Sequence, residues 1–411
     1  MDEDYKNELK NQVLSQIDLS GEIKDEDVSR LIDNCIVDKA KDSYIPLKDK
    51  ITLKNEIFNS IRRLDVLSDL LEDDEITEIM INGPEKIFYE KNGSLYRSEK
   101  TFESPERLMT VIQQIVGEAN RMVNEVNPIV DVILNDSCRV NVVLNGISVD
   151  GSAVTIRKFS KQAMTMPRLM ELGAIDDKTA GFLGLLVAAG YNIFISGGTG
   201  AGKTTFMGAL SEFIPKDERV VTIEDSAELK IQGIDNLVRL ETRNANVEGR
   251  NMITIRDLIK CSLRMRPDRI IVGEVRDEAA IDMLQAMNTG HDGSLSTGHA
   301  NSAHEMLMRL ESMVLMGAEL PLKAVRQQIA SALDIVVHLG RLRDKSRKLL
   351  EIREVLDVEN DEIKTRELFR FIETDVRKDK VIGDFRKMND LLNVSKLKNA
   401  GLIEIYQEKY V

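Results

Sequence analysis

Residues 197–204 read GGTGAGKT, and they satisfy the pattern G-x-x-x-x-G-K-[ST]. The pattern carries a mechanism. Gly197, Gly198, Gly200 and Gly202, with Thr199 and Ala201 between them, form a backbone free to take positive φ, so that successive N–H groups can turn inward around a polyphosphate. Lys203 supplies a point charge for the β- and γ-phosphates, the Thr204 hydroxyl is placed for Mg²⁺, and Thr205 is a further candidate for the nucleotide. The flanks agree: YNIFI (191–195) is a short apolar strand and TFMGALSEF (205–213) reads as a helix. Strand, loop and helix N-terminus together make an anion site. The chain is expected to bind a nucleotide, and its other motifs must say what it does with it.

At 411 residues the chain has room for two or three domains with sizeable cores. A net charge of −13 argues against bulk nucleic-acid binding, which needs a basic face. Cys35, Cys138 and Cys261 are widely spaced and contain no C-x-x-C, which suits a reducing compartment and leaves no thiolate zinc site. The acidic start MDEDYKNELK does not read as a leader, and no apolar run approaches ~18 residues. The expectation is a cytoplasmic protein, peripheral at a membrane if it meets one.

Outward from the glycine loop, residues 168–375 alternate helices with short apolar strands (YNIFIS, RVVTIED, RIIVGE, GSLSTGHA), the pattern of a doubly wound parallel sheet. DIVVHLGRL and LLEIREVLDVEND then point to a terminal hairpin turning near Asn360 and Asp361, and 376–411 reads as a charged extension. Residues 161–167 (KQAMTMP) read as a linker. Before it, 76–160 shows alternation and turns at Asn82-Gly83-Pro84 and Asn92-Gly93. A helix begins there at Pro105 with Ser104 as its cap, and the strands CRVNVVLNG and AVTIRKF follow, so a small α+β domain is expected. Residues 1–75 carry apolar residues at three- and four-residue intervals and read as helical.

Three further constellations bear on chemistry. RIIVGEVRD (269–277) places Glu274 at the C-terminal end of a buried strand, where a carboxylate can hold Mg²⁺ through water or orient an attacking water. Gly273 stands where an Asp is more usual, and an exposed Glu after a core strand is the plainer alternative. RVVTIEDSAE (219–228) ends a second strand in Glu224, Asp225 and Glu228; hydrolysis needs one such carboxylate for water and another for metal waters, although acids after strands also cap helices. Three of the four histidines fall in TGHDGSLSTGHANSAHE. The spacing of His291, His299 and His304 does not resemble a zinc site, and neutral imidazoles meeting the γ-phosphate or an adjacent subunit fit better. His304 reads as a helix-surface residue and His338 as structural. Arginine is needed against transition-state charge, and Arg139, Arg157, Arg243, Arg250, Arg256, Arg264 and Arg266 are all candidates among which spacing does not choose.

With these four elements in this order, the chain resembles the secretion-superfamily ATPases of type II secretion, type IV pili and type IV secretion over roughly residues 75–375. GGTGAGKTT resembles the family's Walker A, VVTIEDSAEL its Asp box, RIIVGEVRD its Gly-Glu form of Walker B, and TGHDGSLSTGHAN its His box. The run 246–311, with LNDSCRVN and SAVTIRKF, resembles the tight-adherence pilus ATPases of the CpaF type. The resemblance implies a RecA-like doubly wound parallel sheet preceded by a small α+β, PAS-like domain and an N-terminal helical domain. It also implies ATP and Mg²⁺, a homohexamer, and partners in an inner-membrane pilus platform. It makes Glu228 the water-activating base, Glu274 the Walker B acid, His291 and His299 a nucleotide-sensing pair, and Arg139 and Arg157 the arginines that reach the phosphates. Lacking the four-cysteine zinc insert of many type II members, the chain departs from that branch. The expected function is ATP hydrolysis driving pilus assembly or secretion. The alternatives are a type IV secretion traffic ATPase or retraction motor, a nucleotide-gated scaffold, or a helicase, the last opposed by the acidic balance and the absence of Trp. The N-terminal helices are expected to dock on a membrane partner or to rearrange during the cycle.

Overall fold

A computed structural model describes residues 3–17, 23–41, 44–135, 137–159, 163–245, 250–376 and 380–411. The chain divides into two compact units, Met1–Lys161 and Gln162–Val411. Lys161 and Gln162, which open the expected linker, Asp136, and 246–249, which begin the CpaF-like run, lie outside the described residues.

In the first unit, helices α1 (Glu3–Gln16), α2 (Asp25–Lys39) and α3 (Leu47–Arg62) bury Leu9, Val13, Val28, Ile32, Ile36, Leu53 and Ile57 against one another. The intervals of three and four residues put these on one face of each helix. The short α4 (Leu67–Glu72) belongs to a different core, to which it gives Leu67. That core lies on an antiparallel sheet of β1 (Ile76–Asn82), β2 (Ile87–Lys91), β3 (Ser94–Arg97), β4 (Ile129–Leu134), β5 (Cys138–Val143) and β6 (Ala153–Lys158), in the order β3-β2-β1-β6-β5-β4. Helix α5 (Pro105–Glu118) packs Leu108, Val111, Ile112, Ile115 and Val116 onto it. Its start is as expected, with the Ser104 hydroxyl accepting the Arg107 N–H at 3.2 Å, and it ends at Glu118. Asn92 and Gly93, at φ +52° and +72°, make the β2–β3 hairpin turn. Strand β4 was not expected; it is an edge strand whose alternation buries Val132 and Leu134 alone.

The second unit opens with α6 (Met166–Glu171) and α7 (Asp177–Ala188), followed by β7 (Ile193–Gly197) and α8 (Lys203–Ser211). Then come β8 (Val220–Glu224), β9 (Leu237–Glu241), α9 (Ile255–Ser262), β10 (Arg269–Val272), α10 (Ala279–Asn288), β11 (Leu295–Gly298), α11 (Ala303–Gly317), α12 (Leu322–Ala332) and β12 (Ile335–Arg341). These six strands run parallel in the order β9-β8-β10-β11-β7-β12. Their near-continuous apolar character follows from burial on both faces. Ile193, Ile195, Ile271 and Val337 face a core shared with α7 and α8, whereas Phe194, Ile270, Val272 and Val336 face one shared with α9 to α12. The doubly wound α/β expectation holds.

The parallel sheet continues into an antiparallel meander of β13 (Arg347–Glu359), β14 (Glu362–Val376) and β15 (Val381–Lys387). The expected turn is present, with Asn360 and Asp361 at φ +52° and +60°. The last residues correct the sequence reading. Instead of a charged extension, 381–411 supplies strand β15 and helices α13 (Ser395–Asn399) and α14 (Ile403–Tyr410). Leu391, Leu397, Tyr406 and Tyr410 enter the α7–α8 core, and the buried Glu354 carboxylate accepts the N–H groups of Leu392 and Asn393. A sparse apolar set amid many charges hid this docking.

Candidate functional site

The glycine loop leaves the C-terminal end of β7, the edge of a parallel sheet where open α/β folds place their ligands. Gly197 is required by its neighbour strand, because a Cβ there would stand 2.7 Å from the Leu339 carbonyl oxygen. Gly200 and Gly202 sit at φ +70° and +89°. Gly202 caps α8 without a side chain, and the helix begins at Lys203, two residues earlier than the sequence reading placed it. Lys203, Thr204 and Thr205 therefore form the first helical turn, whose N–H groups have no intrahelical acceptor. The exposed Gly198, Thr199 and Gly200 precede the buried Ala201, so the loop and helix end present a ready anion site.

The adjoining strand ends bring charge to that loop. The Lys203 ammonium, 7% exposed, donates to the Gly198 carbonyl at 3.3 Å and lies 3.3 Å from both ring nitrogens of His299. His299 directly follows β11, and its Nε2 is 3.0 Å from Oε1 of Glu274, which lies beyond the end of β10. That oxygen is buried and makes no hydrogen bond among the described residues. The other Glu274 oxygen accepts from Arg276 Nη2 at 2.9 Å. Burial works against the Glu274 charge, but the Arg276 guanidinium, helped by Lys203, outweighs it and holds the carboxyl below its ordinary range. Burial and the Lys203 charge push His299 down, so its imidazole is neutral at pH 7. Arg276 also approaches Asp225 at 3.8 Å. Sequence reasoning passed over Arg276; the available signal was its position two residues after Glu274 in an extended segment, where side chains share a face.

The acids after β8 divide. Asp225 is exposed and Glu228 half-buried, whereas Glu224 is 4% exposed with its Oε2 accepting the Leu229 N–H at 2.8 Å. Burial, aided by the Glu228 charge, pushes Glu224 up to about 7, against the Leu229 N–H and Arg239. Its side chain occupies the space over Gly273: a Cβ there would stand 2.8 Å from Glu224 Cγ. The missing Asp in the β10 motif thus has a steric cause.

The histidines also separate. His299 is at the loop, but His291 lies at the opposite, N-terminal end of β11, with Nδ1 3.1 Å from the Ala286 carbonyl oxygen. The two do not form a pair at one site. His304 is exposed on α11, and His338 is buried on β12 with Nδ1 3.1 Å from Ser196 Oγ. Arg139 and Arg157 belong to the first unit, directly opposite each other on β5 and β6, with Arg139 Nε 3.8 Å from Asp131. Of the arginines between the acidic strands, Arg256 is held by Asp282 at 2.6 Å and Arg243 donates to the Asn251 carbonyl.

Residues 62–392 match the family model described as type II/IV secretion system protein. The chain is 32% identical over 324 residues to the type IV secretion system protein PtlH of Bordetella pertussis, covering 72% of this chain and 93% of that one. It is 32% identical over 299 residues to the conjugal transfer protein TrbB of Rhizobium radiobacter, covering 72% and 87%. Its fold is similar to the crystal structure of the pilus retraction motor PilT with bound ADP, at 18% identity and a TM-score of 0.52 over 84% of this chain and 88% of that one. The chain belongs to the type II/IV secretion system protein family.

Proposed function

We propose that the chain is a Mg²⁺-dependent ATPase that works as a homohexamer and drives pilus assembly of the tight-adherence type through an inner-membrane platform. The observation that carries this reading is the convergence of Lys203, Glu274 and His299 at the end of the parallel sheet beside a glycine loop. Lys203 and the first-turn N–H groups bind the phosphates, and Glu228 takes the proton of the attacking water. Glu274 orients that water or a metal-bound one, and His299 reports the state of the γ-phosphate. Arg139 and Arg157 are the arginines we propose for transition-state charge.

The buried, unbonded Oε1 of Glu274 fits a metal-bound water, and the Thr204 hydroxyl, by its place in the loop motif, would be the direct ligand. Bound Mg²⁺ neutralises charge on the polyphosphate. Asp225 is exposed and remains in the proposed set, whereas Glu224 is better suited to holding the turn at Leu229 than to a cation.

A second reading, a type IV secretion traffic ATPase, draws on the names of the two relatives. It changes the partner and leaves the site intact; the membrane proteins that co-purify with the chain would discriminate the two. No helix among the described residues is long and apolar enough to cross a membrane, and we place the chain peripherally at the inner face of the cytoplasmic membrane. Phosphate release by the purified chain, compared with Lys203→Ala, tests the activity. Loss of about 10²-fold or more in the variant supports it, and equal rates overturn it.

A further inference from the structure

Residues 341–348, from the end of β12 through the turn to the start of β13, read RLRDKSRK: five basic side chains and one carboxylate in a chain of net charge −13. Two of the five cations are engaged away from the glycine loop. Arg343 pairs with Glu373 at 2.8 Å, and Lys348 donates to the Gly173 carbonyl at 2.6 Å beneath the Phe371 ring. The one acid, Asp344, accepts from the Ser346 backbone and hydroxyl and from the Val381 N–H.

Arg347 behaves differently. Its Nε donates to the Gly200 carbonyl at 2.8 Å, and its Cδ would stand 3.5 Å from a Cβ on Gly202, so the side chain arches along the loop. Its two Nη groups make no hydrogen bond among the described residues. Arg341 is its direct cross-strand partner and also approaches the loop, with Nη1 3.8 Å from where a Gly200 Cβ would be. Like charges directly opposite each other on paired strands are unfavourable. Here the pair is set beside a loop and helix end whose N–H groups suit an anion.

We propose that Arg341 and Arg347 form a second cationic wall of the polyphosphate site. Arg347 fixes the Gly200 carbonyl through Nε and turns its remaining donors to the phosphates of a nucleoside di- or triphosphate. A guanidinium suits this double task because its fork serves two acceptors in one plane. The assignment deepens the nucleotide reading and rests on it.

The test titrates the full chain with Mg–ADP, as wild type, Arg347→Ala, Arg347→Lys and Arg341→Ala, with a thermal melt of each. Arg347→Ala is expected to weaken binding about tenfold or more, the size of a lost charge-assisted hydrogen bond. Arg347→Lys is expected to recover part of the loss through its charge, and Arg341→Ala to weaken binding less, in a salt-dependent way. Wild-type affinity in Arg347→Ala, or an equal loss in the Ala and Lys variants, overturns the inference while leaving the nucleotide reading standing. A wild-type chain that does not bind Mg–ADP overturns both.

Discussion

His299 Nε2 lies 3.0 Å from the buried Glu274 Oε1, while the Lys203 ammonium lies 3.3 Å from each nitrogen of the same ring. The imidazole stands between the cation we propose for phosphate binding and the carboxylate we propose for orienting water. Being neutral, it can donate to one partner and accept from another, so drawing Lys203 onto a phosphate shifts what the ring offers Glu274. His299→Ala is expected to lower kcat about 10- to 100-fold while leaving nucleotide affinity within about threefold. Steady-state turnover set against equilibrium binding separates the two; an unchanged kcat would remove His299 from the cycle.

Gly273 answers to Glu224. A methyl group at 273 would meet Glu224 Cγ at 2.8 Å, between two buried strands that have little room to part. Gly273→Ala is expected to cost about 1–3 kcal/mol by overpacking. Adding Glu224→Ala should return part of that loss, and urea unfolding midpoints of the single and double variants measure it.

Glu224 also gives the chain a pH signature. Its carboxyl has an ordinary value of 4.5 and is pushed up to about 7 in the fold, so between those values the native state holds a proton that the unfolded chain releases. Stability from this group is fully present below about 4.5 and is lost as pH rises through about 7. Wild type should therefore lose stability relative to Glu224→Gln over that window, by at most about 3 kcal/mol. Denaturant unfolding of both proteins at pH 5 and pH 8 checks the sign. A gap that is the same at both pH values contradicts it.

The C-terminal helices are part of the second unit's core. Tyr406 is 3% exposed, its ring centroid lies 6.4 Å from that of Phe182, and its hydroxyl accepts the Leu391 N–H at 3.0 Å. Tyr406→Ala is expected to cost about 3–5 kcal/mol, in line with truncating a buried aromatic, visible as a fall in the unfolding midpoint. A surface extension would register no change.

Much of this was legible because local chemistry decided it. The loop at 197–204, the Ser104 cap and the Asn92-Gly93 turn each depend on a few adjacent residues. The parallel strands showed as apolar runs because both their faces are buried. What stayed hidden depended on partners distant in sequence. Edge strands β4 and β9 bury too little to show a strong pattern, and Tyr406 and Tyr410 find their core only after the chain returns from β15. At the site, His291 and His299 look equivalent in sequence, yet a four-residue strand between them sends them to opposite ends of the sheet. The reason for Gly273 lay in Glu224, on a neighbouring strand.

In the proposed cycle, Glu228 and Glu274 turn nucleotide bound at the glycine loop into hydrolysed ATP. The most direct measurement is steady-state phosphate release at saturating Mg–ATP by wild type, Glu228→Gln and Glu274→Gln, with nucleotide binding measured in parallel. The expected result is that all three bind, while both variants lose about 10²-fold or more in turnover. Binding without turnover in the wild type, or equal turnover in all three, would contradict it.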